Sequence, residues 1–500
     1  MLPRTPLYRW LAVVAIITVV FLYHPDFSGS SISAYTSGAG SKFARPELDT
    51  GRWVKEVLGN ASIGPEISYA ARTLQYIPDA KERPLTTEVD HELFPEKFQD
   101  VTLDAAAMLP VGRTIGVHVK PLSRPGDVDA SSLIFGASTT LERFNDDNLG
   151  PLKEFTRWLT DGKGNSNGAG LIVALVNCTD AELDAAHHRL ADVGINATVI
   201  AANPSLDMPG RYVDLVRMMY THPTASQRKF FTLIDDDTFF PYMSELIREL
   251  FTYDYNKPYY IGTFTERVDW IIQNQVPMAY GGGGVFLTAP VAKAIVEANC
   301  IEKRENGKYV LDASQGDRLL YNCIHTKTAV TFTYNARLNQ MDQFGDPSGF
   351  YESGHQPLSV HHFKSWHSSP VAKIHQVADA CGEDCVLQRF RFKDDFVVSN
   401  GYSVAQYPKG IDFDLSQTEY TFDPGNNDIA SVAYAYRFGE MRASLSKTGR
   451  KKQWRMLDAV TERDGRVKQV YVMRASDDRW VAEGEARMGR DAVVVLTWVP

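Results

Sequence analysis

Long runs of one charge are missing from this sequence. Its 52 Lys and Arg and 61 Asp and Glu are mixed along 500 residues, for a formal net charge of −9. No basic stripe appears, which argues against a nucleic-acid partner held through its phosphates. No internal repeat is found, so the chain is not a repeat array. The glycines never fall into dinucleotide or P-loop spacing. Cysteine is scarce, with five residues. If the chain is luminal, Cys300 can pair with Cys323 and Cys381 with Cys385, leaving Cys178 free. A zinc site at Cys381 and Cys385 would need His367 and His375, whose spacing fits no common zinc module, so a disulfide or two thiols ranks ahead of it.

A hydrophobic fraction of 44% is enough for a large core, and the length suggests two or three units. Arg4 and Arg9 precede an apolar run at residues 10–23, broken only by Thr18; with Leu7 and Tyr8 included and Arg9 snorkelling, the segment is just long enough to span a thin bilayer. With the basic side first, the N-terminus stays cytosolic and the rest enters the lumen, giving a single-pass type II Golgi membrane protein. A cleaved signal peptide, releasing a secreted chain, is the competing reading. Sequons at Asn60, Asn177 and Asn196 fit a luminal chain. The expected organisation is a tail and anchor at 1–27, a stem and ill-defined region at 28–125, a catalytic domain at 126–399 and a β-rich region at 400–500.

Within the central region short apolar runs alternate with helical patterns. Residues 133–137, 171–176, 197–201 and 230–234 read as strands, and 171–176 is apolar without interruption, as a strand buried on both faces must be. Helical spacing appears at 152–159, 181–193 and 212–220. This alternation predicts an α/β fold with a mostly parallel sheet, whose ligands bind beyond the carboxyl ends of the strands. The strand at 230–234 runs straight into Asp235, Asp236 and Asp237. Three adjacent carboxylates repel one another, so such a placement calls for a cation or a helix N-terminus nearby. Two residues apart on extended chain, Asp235 and Asp237 point to the same side, where a hard divalent cation would want them. The plainer reading is a solvated acidic turn.

Four further segments carry candidate chemistry. Gly281, Gly282, Gly283 and Gly284 run into an apolar strand and permit a close backbone approach to a ligand, or form a flexible loop. Asp317 precedes a helical stretch at 318–324 and is either a functional acid or an N-cap. His361 and His362 form a pair of potential metal ligands, with His367 close behind. Thr139 and Thr140 follow the first strand of the sheet, where on the residues alone they can cap a helix.

In this order the segments resemble glycosyltransferase family 31, in its Fringe-like branch with fungal and plant relatives, over residues 133–367. The aromatic strand into Asp235–Asp237 looks like the family's acidic motif, and Tyr260-Ile261-Gly262 like its next strand. The four glycines are similar to its Gly-Gly-Ala-Gly shelf, with Gly283 in place of alanine. Asp317 with Cys323, and Ser359-Val360-His361, match its later motifs. Residues 340–346 with Glu352 look like the plant and fungal members. The resemblance implies a GT-A fold, a UDP-sugar donor and Mn2+ or another divalent cation. It assigns Asp235, Asp237 and His361 to the metal. Thr139, Thr140, Asp235, Asp236 and the four glycines fall to the donor, and Asp317 becomes the base acting on an acceptor hydroxyl. The implied activity is an inverting hexosyl or N-acetylhexosaminyl transfer to a glycan or glycoprotein. A binding protein that kept this fold without turnover is the alternative. A two-metal nuclease or phosphatase is disfavoured, because no second acidic cluster is present.

Overall fold

The computed structural model describes residues 50–103, 109–121, 123–311, 313–423 and 437–500. The apolar run at 10–23, and residues 432–436 of a β-prone stretch expected near the C-terminus, lie outside them. Among the described residues no helix is long and apolar enough to cross a membrane.

The fold is mixed α/β, with a large mostly parallel sheet. Seven strands lie in the order Phe332–Tyr334, Tyr260–Gly262, Val285–Thr288, Phe230–Leu233, Leu133–Thr140, Gly170–Val176 and Ala197–Ala201. Leu133–Thr140 pairs in parallel with Gly170–Val176 on one side and Phe230–Leu233 on the other. Only Val285–Thr288 runs antiparallel to its neighbours. The connections from Leu133–Thr140 progress first toward Ala197–Ala201, and then return to its opposite flank. That reversal makes a switch point between Leu133–Thr140 and Phe230–Leu233, where the carboxyl ends of two neighbouring strands part and leave a crevice. Phe230, Phe231, Thr232 and Leu233 are all buried, as the apolar run required. The helices Asp180–Asp192 and Met208–Tyr220 cover the sheet where helical spacing placed them.

The β-rich C-terminal region is present as Lys452–Thr461, Val467–Met473 and Asp491–Val499. Its strands belong to a ten-stranded sheet that also takes in Arg389–Phe392, Phe396–Ser399 and Ser403–Gln406. Asp491–Val499 pairs in parallel with Glu66–Ile77, a twelve-residue strand inside the region read as stem. Trp498 and Tyr471 share one apolar core with Phe135 of the first sheet and Trp158 of the helix Leu152–Leu159. Both disulfides allowed by the cysteine positions are formed, Cys300–Cys323 and Cys381–Cys385, and Cys178 is free.

A buried ionic knot joins this second sheet to the segment that carries the late histidines. The Lys451 ammonium, fully buried, lies 2.7 Å from Glu352 and 2.8 Å from Glu419. Gln453 also donates to Glu352, at 2.6 Å. Asp346 is held by Arg455 at 3.3 Å and Arg479 at 3.2 Å. These contacts tie residues 346–352 to the second sheet. Lys451→Ala leaves Glu352 buried without its cation, while Glu419 keeps Arg442 at 2.7 Å, and is expected to cost about 3–5 kcal/mol of stability. A urea midpoint unchanged from wild type would contradict this.

Candidate functional site

At the end of Leu133–Thr140 the two threonines separate. Thr140 caps the helix Leu141–Asn145, its hydroxyl accepting from the Arg143 N–H at 3.1 Å. Thr139 instead donates to the Asp236 carboxylate across the crevice. The helix that Thr140 starts delivers Arg143, a residue the sequence did not single out. Its guanidinium lies 2.6 Å from Asp236 and 3.7 Å from Asp237.

The acidic triplet is not extended chain: Asp236 and Asp237 lie in a turn closed by the Thr238 N–H on the Asp235 carbonyl at 3.1 Å. The turn sends Asp236 toward Thr139 and Arg143, and Asp235 and Asp237 together to His361, whose Nε2 lies 3.3 Å from one and 3.0 Å from the other. The repulsion expected among three carboxylates is thus offset by Arg143 on one side and His361 on the other. Burial alone would keep the His361 ring neutral, but its hydrogen bonds to Asp235 and Asp237, with their charges, raise its pKa well above the usual value. Burial would likewise raise the Asp237 carboxyl; His361, His362 and Arg143 outweigh it and hold that carboxyl well below its usual range. Asp236 goes the other way: burial raises it, against the opposing pull of Arg143 and Thr139.

Thr238 ties the triplet to the glycines. Its hydroxyl accepts the Asp235 N–H at 3.0 Å and donates to the Gly282 carbonyl at 2.9 Å. Gly281–Gly283 forms a tight turn, and a methyl group on Gly282 would overlap the His361 ring. The flexible-loop reading therefore gives way to a close approach that only glycine permits. His361 is fixed from behind as well. Val360 exchanges two 2.9 Å backbone hydrogen bonds with Phe239, just past the triplet, and His361 Nδ1 lies 3.1 Å from the Gln340 carbonyl. Gly282→Ala is expected to push the imidazole off Asp235 and Asp237. A misplacement of this kind weakens a metal site by about 10–100-fold. Titration of the folded variant with a divalent cation checks it, and wild-type affinity would contradict the role given to Gly282.

Asp317 lies inside the helix Gly316–Lys327, whose N-cap is Gln315, so the capping reading fails. Its carboxylate accepts the Arg318 N–H at 2.8 Å. Burial, reinforced by the charge of Asp235, pushes its pKa up to about 7, against the pull of the Arg318 and Gly281 N–H groups. Asp317 therefore shares the electrostatic field of the triplet. Between the two strand ends lies a cavity of about 300 Å³ lined by Thr139, Thr140, Arg143, Arg211, Tyr212 and Asp235, among others.

The donor set suits a divalent cation. Asp237, His361 and His362 each offer an atom, all within 4.8 Å of one another, and Asp235 adjoins His361. His367 is not part of this cluster; it is buried, and its pKa is pushed down to about 3, by burial first. Besides Arg143, sequence reasoning assigned no role to Tyr212, and it reached Gln340 only as part of the segment 340–346. Each acts through a contact more than twenty residues away, or through a backbone atom any residue possesses.

A family model described as "Protein of unknown function, DUF604" matches residues 272–494. No curated protein matches the chain by sequence. Among solved structures, the chain is similar to the galactosyltransferase LgtC in complex with donor and acceptor sugar analogs. That match has 14% identity, covers 48% of this chain and 81% of that one, and has a TM-score of 0.29. It is also similar to the mannosyltransferase PcManGT from Pyrobaculum calidifontis in complex with GDP-Man and Mn2+, at 10% identity over 45% and 60% of the two chains, TM-score 0.26. A third match is mouse xyloside xylosyltransferase 1, apo form, at 12% identity over 41% and 84%, TM-score 0.24.

Proposed function

We propose that the protein is a metal-dependent, inverting glycosyltransferase that moves a sugar from a UDP-linked donor to a hydroxyl of a glycan or glycoprotein. One observation carries the reading. Asp235 and Asp237 converge with His361 at the switch point of the sheet, beside a cavity, with a high-pKa carboxyl in the same field. Asp235, Asp237 and His361 would hold a divalent cation, which when bound neutralises diphosphate oxygens.

The chain's own residues do the rest. Thr139 and Arg143 fix Asp236 at the cavity wall, and the Gly281–Gly283 turn lets the donor approach backbone. Asp317 takes the proton of the acceptor hydroxyl as its oxygen bonds to the sugar's anomeric carbon. The bond from that carbon to the diphosphate breaks at the same time, so a single displacement inverts the centre. No second carboxylate was identified in the sequence to serve as a nucleophile for a retaining route. A screen of nucleotide-sugars for hydrolysis by the purified chain with Mn2+ tests the reading. Release of UDP supports it, binding without release favours a sugar-binding protein of the same fold, and no binding rejects both.

We further propose a Golgi location with the catalytic region in the lumen, on the strength of Arg4 and Arg9 ahead of residues 10–23. In intact microsomes, protease should leave residues 50–500 uncut. Digestion there without detergent would reject the topology.

A further inference from the structure

Two adjacent residues on an extended chain send their side chains to opposite faces. His361 and His362 do not: their ring centroids are 3.7 Å apart. The cause is the backbone at His362, which sits in the left-handed region at φ +57°. A non-glycine residue there is uncommon, and such conformations gather at functional sites. Here the turn brings a second imidazole against the first.

One nitrogen of each ring is occupied. His361 Nδ1 faces the Gln340 carbonyl at 3.1 Å, and His362 Nε2 lies 3.0 Å from Asp342 Oδ1. Histidines that bind metal are held in this way, by a carboxylate or carbonyl on the nitrogen away from the ion. One buried carboxylate sets both partners: Glu266 accepts the N–H of Gln340 at 3.1 Å and that of Asp342 at 3.0 Å. The His362 ring is further fixed by Trp366, stacked at 4.0 Å with planes 3° apart. A buried His–Asp pair serving only stability would explain the Asp342 contact. It would not explain why a left-handed residue brings a His362 nitrogen within 4.8 Å of the ligand atoms of Asp237 and His361.

We propose that His362 is a further protein ligand of the cation held by Asp235, Asp237 and His361, with Asp342 and Trp366 as its positioning residues. Two imidazoles beside carboxylates favour first-row transition ions over magnesium or calcium, which prefer oxygen alone. The proposal rests on the metal-dependent reading above and deepens it.

Calorimetry on the full chain with UDP, using Co2+ and Mg2+ as probes, separates the two. Asn tolerates left-handed backbone, so His362→Asn should keep the fold, checked by its melting curve. Its Co2+ affinity should fall by about 10–100-fold, with Mg2+ affinity changed by less than about threefold. Asp342→Asn, which leaves the ligand in place without its support, should lose about tenfold for Co2+ and carries the test if His362→Asn does not fold. Co2+ affinity that is lost in Asp237→Ala but unchanged in His362→Asn and Asp342→Asn overturns this inference alone. Co2+ affinity unchanged in Asp237→Ala, or absent from wild type, overturns the metal site itself.

Discussion

Asp237→Ala is expected to lose transfer activity by about 10³-fold or more, with manganese and UDP binding lost together. Asp237 is the buried member of the pair that faces His361, 8% exposed against 43% for Asp235. It cannot be replaced by its neighbour, because Asp236 is committed to Arg143 and Thr139. The same geometry revises what three carboxylates in a row imply for stability. Relief of repulsion would make the variant more stable, but Asp237 balances His361 in the protein alone. Its removal should therefore cost about 1–3 kcal/mol of unfolding free energy without metal. Asp237→Asn, which keeps the shape, separates the two effects: it should stay folded and inactive. Near-wild-type transfer by either variant at saturating manganese would remove the site.

Asp317→Asn is expected to lower transfer by about 10²–10⁴-fold while UDP affinity stays within about twofold. An N-cap would make Asn nearly silent, and Asp317 is not the N-cap. The pH dependence has a definite sign. The base must be ionised, so kcat/KM should fall as pH drops below about 7, where the carboxyl protonates. A cation beside Asp235 cancels part of the field that raises this pKa, so the midpoint in kcat should lie lower. Stability runs the opposite way. A carboxyl raised above its unfolded value binds more protons in the native state, so the native protein loses stability as pH rises from about 4 to about 7. Asn removes that loss, and metal-free Asp317→Asn should be more stable than wild type at pH 8, by about 2 kcal/mol after screening of a partly exposed carboxyl. Collapse of UDP affinity along with rate would move Asp317 to the donor site.

The strands around the site were legible because they are buried on both faces. Gly170–Val176 is an uninterrupted apolar run and Phe230–Leu233 is broken only by the buried Thr232, and the triplet stands where such a run must end. Glu66–Ile77 was illegible for the complementary reason. Ser68, Arg72, Thr73 and Gln75 are distributed over both faces, so no period-two pattern survives, although Arg72 is buried with its guanidinium 2.8 Å from the Glu92 carbonyl. The site divides along the same line. Residues in local motifs could be named in advance. Arg143 and Lys451 could not, because each acts across the fold, and chain spacing carries no trace of such contacts. Thr140 shows that a short motif can also be half right: one of its two threonines faces the triplet, and the other caps a helix.

The central claim is that the triplet and His361 bind a nucleoside diphosphate through a divalent cation. Titration calorimetry of the full chain with UDP, with and without manganese, tests it most directly. The account predicts clear binding with manganese, at least tenfold weaker binding in chelator, and none in Asp237→Ala, in line with the order of loss for altered metal sites, about 10–100-fold. Equal UDP affinity with manganese and with chelator, or no binding in either, would contradict it.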